Sequence, residues 1–273
     1  MLNKIKVKTK HEKLKNILRR MDSVVIAYSG GVDSTFLLKV AKDVLGDKVI
    51  AVSARSETYP ESEYKEAKAL AKDIGVRHII INTGELKDKN FSSNPVNRCY
   101  YCKGELFRKL KQIAKKYNIC HIADGVNADD LKDFRPGINA ANELGVRHPL
   151  LESNITKSEI RELSRKLSLS TWSKPAQACL ASRFPYGEEI TAGRLKLVEE
   201  AEKILRKANF KNIRVRLHKD LARIELDKDE ITRFLGNGLS RKITQFLKNK
   251  GIMYITLDLD GYRSGSLNEV LTS

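Results

Sequence analysis

The chain has 273 residues, of which 41% are hydrophobic, with 51 Lys and Arg against 34 Asp and Glu. That length suits two ordinary domains or one large one, and no stretch approaches the ~20 apolar residues of a membrane span. The net charge of +17 favours anionic partners without choosing among nucleotides, RNA and membrane surfaces.

The start, MLNKIKVKTKHEKLK, lacks the apolar core of a signal peptide, so a soluble, cytoplasmic protein is expected. Residues 1 to 20 hold eight Lys or Arg and one acid, Glu12. A solvated helix face explains such a run, and an RNA-facing arm stays open.

The apolar run Val24 to Ala27 reads as a strand, and Phe36, Leu37, Val40, Ala41 and Val44 recur at helical spacing over Thr35 to Val44. Between them lies Tyr28-Ser29-Gly30-Gly31-Val32-Asp33-Ser34. Two glycines let the backbone fold tightly against a ligand, and Ser29, Ser34 and Thr35 set hydroxyls beside the unpaired amides of a new helix. Such a corner suits phosphate. It has Asp33 where GxxxxGK[ST] would have a lysine, and it lacks the GxGxxG spacing of a dinucleotide site. A plain Gly-rich turn is the bland alternative.

Val49 to Ser53 reads as a second strand, Pro60 to Ile74 as a helix ended by Gly75, and Arg77 to Ile81 as a third strand. A polar connection from Asn82 to Arg98 leads into Cys99-Tyr100-Tyr101-Cys102 and a helix from about Lys103 to Tyr117, followed by a strand at His121 to Asp124. Alternating strands and helices predict an α/β fold with a doubly wound parallel sheet, its ligands at the carboxyl ends of the strands, where Ser29, Ser53, Asn82 and Asp124 fall. The run 124–130, with Asp124, Asn127, Asp129 and Asp130, is either part of a magnesium site or an Asx-rich turn, and turn residues continue through Asp133 to Gly137.

Thr156 and Glu159 form a capping-box pattern for a helix to Leu167, and periodicity lapses from Ser173 to Thr191. A helix at Thr191 to Asn209, strands at Ile213 to His218 and Leu221 to Leu226, helices at Lys228 to Leu235 and Ser240 to Asn249, and a strand at Met253 to Asp258 complete a smaller α+β domain. The expected division is 1–180 and 181–273. Arg214 and Arg216 alternate on one strand face and, with Arg183 and Arg263, offer guanidinium forks to a phosphate; exposed strand arginines are the alternative.

Four cysteines in such a chain do not suggest a disulfide framework. Cys99 and Cys102 can address one metal from a turn, Cys120 at a strand start is expected to be buried, and Lys174 and Arg183 flank Cys179 with charge that can depress a thiol pKa. Asp33 is expected either to bind magnesium or to cap a helix.

SGGVDS resembles the pyrophosphate loop of the ATP pyrophosphatase superfamily, whose members cut ATP between the α- and β-phosphates. NRCYYCK, DGVNADDLKDFRPG, KPAQACLASRFPYGEEIT and LDLDGYRSGSLNE narrow the resemblance to the sulfur-inserting transferases that build the nickel-pincer nucleotide of lactate racemase. This resemblance spans about Val24 to Glu269. It implies that ATP adenylates a carboxylate of a pyridinium-3,5-dicarboxylate mononucleotide and that a sulfur nucleophile displaces AMP.

In one branch of that family the sulfur comes from the cysteine at the position of Cys179, which is left as dehydroalanine. Another branch holds a [4Fe-4S] cluster on three cysteines, and the presence of Cys99, Cys102 and Cys179 favours that branch. The implied nucleotide-binding residues are Ser29, Gly30, Gly31, Asp33, Ser34, Ser53, Asp124, Asn127, Arg214, Arg216 and Arg263; the catalytic ones are Cys179, Asp33 and Arg183; the cofactors are ATP, Mg2+ and the cluster. A sulfide donor, a downstream nickel-insertion protein and a second copy of the chain are the expected partners. A tRNA thiolase of the same superfamily and a nucleotide-binding regulator without turnover are the rival readings.

Overall fold

The computed structural model describes residues 2–132, 134–175, 178–236, 238–263 and 265–271, so Asp133, Ala176, Gln177 and Ser264 of the motifs above lie outside the described residues. The chain divides into two compact units, one of residues 1–85 and 97–174, the other of residues 86–96 and 175–273. The break lies close to the expected 180/181, with a further exchange of 86–96.

In the first unit a helix α1 (Leu2–Met21) precedes β1 (Val24–Ala27), α2 (Val32–Leu45), β2 (Val49–Arg55), α3 (Glu61–Ile74) and β3 (Arg77–Asn82). After α4 (Lys89–Ser92), which belongs to the other unit, come α5 (Arg98–Lys116), β4 (His121–Ala123), α6 (Pro136–Glu143), α7 (Pro149–Glu152) and α8 (Lys157–Lys166). The strands form a parallel sheet in the order β3-β2-β1-β4, with Ala27 opposite Val52 and Ile26 opposite Ala123.

Side chains alternate across the sheet, and each face has its own core. Val24 and Ile26 pack with Leu14 and Leu18 of α1, Phe36 and Leu37 of α2 and Ile160 of α8, while Val25 and Ala27 pack with Phe107 and Leu110 of α5. Burial on both faces is why β1 reads as an uninterrupted apolar run. α1 turns Val7, Leu14, Leu18 and Met21 inward and leaves Lys6, Lys8, Lys13, Arg19 and Arg20 exposed, so much of its basic charge lies on an outer helix face. No helix among the described residues is long and apolar enough to cross a membrane.

Chain order runs from β1 outward through β2 and β3, then returns to β4 on the other side of β1. The loops that follow β1 and β4 therefore diverge, and the crevice between them is where an open α/β sheet receives its ligand.

The second unit contains α9 (Ala192–Lys207), β5 (Ile213–His218), β6 (Leu221–Leu226), α10 (Ile231–Gly236), α11 (Leu239–Asn249) and β7 (Tyr254–Leu257). β5 and β6 pair antiparallel, and β7 adds to β6 in parallel. Residues 86–96 join this unit through Asn94, whose amide donates to the carbonyls of Phe184 and Pro185 at 3.3 and 2.6 Å.

Candidate active site

The loop after β1 is fixed by its neighbours. The Tyr28 N–H donates to Val52 O at 2.9 Å, the Ser53 hydroxyl donates to Tyr28 O at 2.7 Å, and His78 Nε2 meets the same Ser53 hydroxyl at 2.7 Å. β2 runs on to Arg55, so Ser53 lies within the strand and not at its expected end, a buried brace for the loop. The Tyr59 hydroxyl also donates to Ser29 O.

Gly30 has φ +70, and a Cβ there would lie 2.7 Å from Ala67 Cβ on α3, so both the turn and the close approach require glycine. Gly31 stands at the N-cap of α2 with no side chain of its own to cap the helix, and its N–H donates to Ser29 Oγ at 3.4 Å. Amides of the first turn are left to a ligand. Of the three hydroxyls expected at this corner, Ser29 is exposed, Thr35 is inside the core, and Ser34 folds back to accept from the Ser29 N–H at 3.3 Å.

Asp33 lies in the first turn of α2. Its Oδ2 is 2.5 Å from Lys157 Nζ, and its buried Oδ1 has no hydrogen-bond partner among the described residues. Burial pushes the carboxyl above its usual range, with Lys157 opposing. An orphaned carboxylate oxygen beside unpaired amides is an arrangement that a divalent cation carried by phosphates completes.

The loop after β4 closes the corner from the other side: a Cβ on Gly125 would lie 3.0 Å from the Ser34 nitrogen. Its acids largely serve the loop itself. Asp124 Oδ1 accepts from the Val126 N–H at 3.1 Å and shares a 2.7 Å bond with His148 Nδ1, whose Nε2 meets Asn142 Oδ1 at 3.0 Å. Asp130 accepts from the Asn127 N–H at 2.9 Å and pairs with Arg135, while Asn127 Oδ1 accepts from the Asp129 N–H at 2.9 Å. Of the two readings of this run, the Asx-turn pattern accounts for these bonds.

Cys99 and Cys102 stand on the first turn of α5, which begins at Arg98 rather than near Lys103. Spaced three apart on a helix, both thiols address one side. Gly137 of α6 lets that helix approach: a Cβ would be 3.3 Å from Cys99 O and 2.8 Å from Lys103 Cγ. Cys120 precedes β4 and is exposed, correcting the expectation of a buried thiol. Among the described residues no group of three or more His, Cys, Asp or Glu gathers as a ready metal cage.

In the second unit, Cys179 is half-buried at the start of a short 3-10 turn. Its carbonyl accepts from the Ser182 N–H at 3.0 Å, the Ser182 hydroxyl at 2.8 Å and Arg183 at 3.0 Å. Arg183 also donates to Ala178 O at 2.9 Å and forks onto the buried carboxylate of Glu202. The charge expected to flank the thiol is therefore already committed. In the first unit Lys174 is likewise committed, to Glu63 and Glu66 at 2.7 and 2.9 Å.

Arg216 is buried, forks onto Glu225, and donates to Ser182 O and Ser266 Oγ, both at 2.8 Å. Arg214 lies over the Tyr262 ring, 5.0 Å from its centre, and its pKa is lowered to about 10 by burial and then by Arg183. Arg183 thus pairs with the buried Glu202 and Arg216 with the buried Glu225, while Arg214 lies in the field of Arg183, Glu202 and Arg216. Arg263 is more exposed and forks onto Glu269 at 3.2 and 3.1 Å.

Spacing in the sequence did not identify Lys157, His148, Glu202 or Glu225: the first three act through Asp33, Asp124 and Arg183, distant along the chain, and Glu225 through Arg216 across a hairpin whose register the sequence does not show. The only local signal near Lys157 is the capping box of Thr156 and Glu159, which the structure contains.

Comparison with known proteins gives consistent matches. The family model for NAD synthase matches residues 6–101. An uncharacterised protein of Synechocystis is 47% identical over 97% of this chain and 99% of its own length. Pyridinium-3,5-bisthiocarboxylic acid mononucleotide synthase of Lactiplantibacillus plantarum is 38% identical over 97% of this chain and 95% of its own length. An uncharacterised protein of Methanocaldococcus jannaschii is 32% identical over 92% of this chain and 96% of its own length.

Proposed function

Since the chain belongs to the family of pyridinium-3,5-bisthiocarboxylic acid mononucleotide synthase, we propose that it is an ATP-dependent sulfur transferase converting a carboxylate of a pyridinium-3,5-dicarboxylate mononucleotide into a thiocarboxylate. The observation that carries this reading is the corner at Gly30, Gly31 and Asp33, with uncapped helix amides beside an orphaned carboxylate oxygen. It suits a polyphosphate accompanied by a cation.

In the first step a substrate carboxylate oxygen attacks the α-phosphorus of ATP, the bond to the pyrophosphate oxygen breaks, and an acyl-adenylate forms. The amides after Gly31 stabilise charge growing on the departing pyrophosphate. Asp33 is the residue that would hold Mg2+, which offsets phosphate charge when bound. Arg214 and Arg216 are the proposed holders of the substrate's own phosphate, and Arg183 and Ser182 hold the Cys179 backbone in place.

A sulfur nucleophile then adds to the acyl carbon, and AMP leaves with the electron pair of the C–O bond. If the sulfur is that of Cys179, its thiolate forms a thioester; removal of the Cys179 Cα proton then breaks the Cβ–S bond, leaving dehydroalanine and releasing the thiocarboxylate. Alternatively, Cys99, Cys102 and Cys179 supply the three thiolates of a [4Fe-4S] cluster, which would provide sulfide and spare the chain. The cysteine count favours the cluster.

Anaerobically purified protein, given ATP and the pyridinium dicarboxylate nucleotide, is expected to release pyrophosphate and AMP and to exchange one substrate oxygen for sulfur by mass. Formation of ADP, or an unchanged substrate, contradicts the reading. Iron, labile sulfide and intact mass decide the source: loss of the mass of hydrogen sulfide without iron assigns it to Cys179, and unchanged mass with iron and sulfide assigns it to the cluster.

A further inference from the structure

The peptide that enters the phosphate corner, between Tyr28 and Ser29, is held on both edges. Its carbonyl accepts from the Ser53 hydroxyl at 2.7 Å, and its N–H, on the opposite edge of the same plane, donates to Ser34 Oγ at 3.3 Å. The Ser34 hydroxyl donates onward to Gly31 O at 3.3 Å, at the N-cap of α2. At the other end of this chain stands His78 of β3, its Nε2 2.7 Å from Ser53 Oγ.

The direction of these bonds fixes the state of the histidine. A hydroxyl has one proton and a carbonyl can only accept, so the Ser53 proton lies toward Tyr28 O, and Ser53 Oγ must accept from an Nε2–H of His78. Burial, and then Lys68, lowers the His78 pKa, so the ring is neutral at neutral pH. Its Nδ1 is buried with no hydrogen-bond partner among the described residues, where a proton would strand a donor. The Tyr28 ring meets the imidazole edge-on, with centres 5.6 Å apart and planes at 83°.

We propose that His78 is a positioning residue for the phosphate corner, its Nε2–H setting the direction of a hydrogen-bond chain through Ser53 and the Tyr28–Ser29 peptide to Ser34; this rests on the reading of the corner as an ATP site. Every donor in the chain points from β3 toward α2, so each bond polarises the next. With His78 donating, the Ser53 hydroxyl has one orientation. Without that donor the hydroxyl can turn from Tyr28 O, and the freed peptide swings the Ser29 N–H away from Ser34. The amides at Gly30 and Gly31 then lose the fixed aim with which preorganised donors meet phosphate charge.

The test is calorimetric titration of the full chain with α,β-methylene-ATP, for wild type, His78→Phe, His78→Gln, Ser53→Ala and the double variant His78→Phe with Ser53→Ala. Phenylalanine keeps a ring beside Tyr28 and removes the donor, and is expected to weaken analogue binding about 2- to 10-fold, the range of one neutral hydrogen bond. Glutamine brings an amide N–H near the place of Nε2 and is expected to restore most of the affinity. Because His78 acts through Ser53, the double variant is expected to bind no more weakly than Ser53→Ala alone. A 15N–1H correlation of the histidine rings in wild type, with His78→Gln assigning the signal, is expected to show a neutral ring protonated on Nε2, and it reads the tautomer even if the phenylalanine variant does not fold. A ring protonated on Nδ1, undiminished affinity in His78→Phe, additive losses in the double variant, or a glutamine variant as weak as phenylalanine each overturn the proposal. A wild type that binds no analogue overturns it together with the ATP reading. A wild type and variants that bind as expected, without sulfur transfer to the pyridinium nucleotide, leave His78 in its role and overturn the functional reading instead.

Discussion

The guanidinium of Arg183 forks onto the carboxylate of Glu202 at 2.8 and 3.0 Å, with Arg183 2% and Glu202 0% exposed. The same guanidinium holds the backbone of Cys179, so the pair links the core of the second unit to its candidate nucleophile. Burial alone would push the Glu202 carboxyl up; the charges of Arg183 and Arg206 outweigh it and hold the group below the usual carboxylate range.

Removing one member of this pair strands a buried charge. Arg183→Ala is expected to destabilise the second unit by about 3–5 kcal/mol, read as an earlier denaturant midpoint, while Arg183→Met with Glu202→Leu recovers most of the loss. Since the native pKa of Glu202 is depressed, the stabilisation is present above the ordinary carboxylate range and lost as pH falls through the lowered value. An Arg183→Ala midpoint equal to wild type at pH 7 would contradict this.

Gly30 meets two separate demands, its positive φ and the approach of Ala67. Gly30→Ala is expected to weaken ATP-analogue binding and lower stability, with about 1–2 kcal/mol from the left-handed backbone alone. Gly30→Ala with Ala67→Gly relieves the contact but not the backbone, so it recovers only part of the thermal shift. Full recovery would place the whole cost in the contact.

At Asp33 stability and function oppose one another. Its native carboxyl pKa is raised, chiefly by burial, so protonation favours the fold and stability is lost as pH rises through the raised value. Asp33→Asn is therefore expected to melt higher than wild type at pH 7, the gap closing toward pH 4 as the wild-type group protonates, while pyrophosphate release collapses. A melting gap that widens on acidification would reverse this account of the charge.

Cys99→Ser and Cys102→Ser each remove a thiol from one helical turn and are expected to leave the fold and ATP-analogue affinity intact. Anaerobic iron content should fall from about four per chain to near zero in both. Iron equal to wild type in either variant would separate this turn from cluster binding.

Local chemistry made much of the first unit legible in the sequence. The apolar β1, two glycines and the amphipathic α2 announce a strand, a phosphate corner and a helix, and Gly75 ends α3 with φ 74 as its position suggests. Arg98 to Cys102 was not legible as helix because it carries no strong capping signal; Tyr100 donating to Glu143 at 2.6 Å and the close packing at Gly137 support that turn through tertiary contact.

The short helices α6 and α7 were hidden among Pro, Gly and Asx residues that also make turns. Arg214 and Arg216 were correctly placed on a strand, with Arg216 buried. Their partners were not visible, because Glu225, which pairs with Arg216, lies across the hairpin on β6, and Tyr262, which meets Arg214, follows β7. Pairing across that distance leaves no mark on local spacing.

The central claim is that ATP activates a carboxylate by adenylation before sulfur enters. Substrate labelled with 18O in both carboxylates tests it directly. Turnover is predicted to place one 18O atom in the phosphate of AMP for each thiocarboxylate formed; thiocarboxylate formation with unlabelled AMP, or with ADP as the nucleotide product, would contradict it.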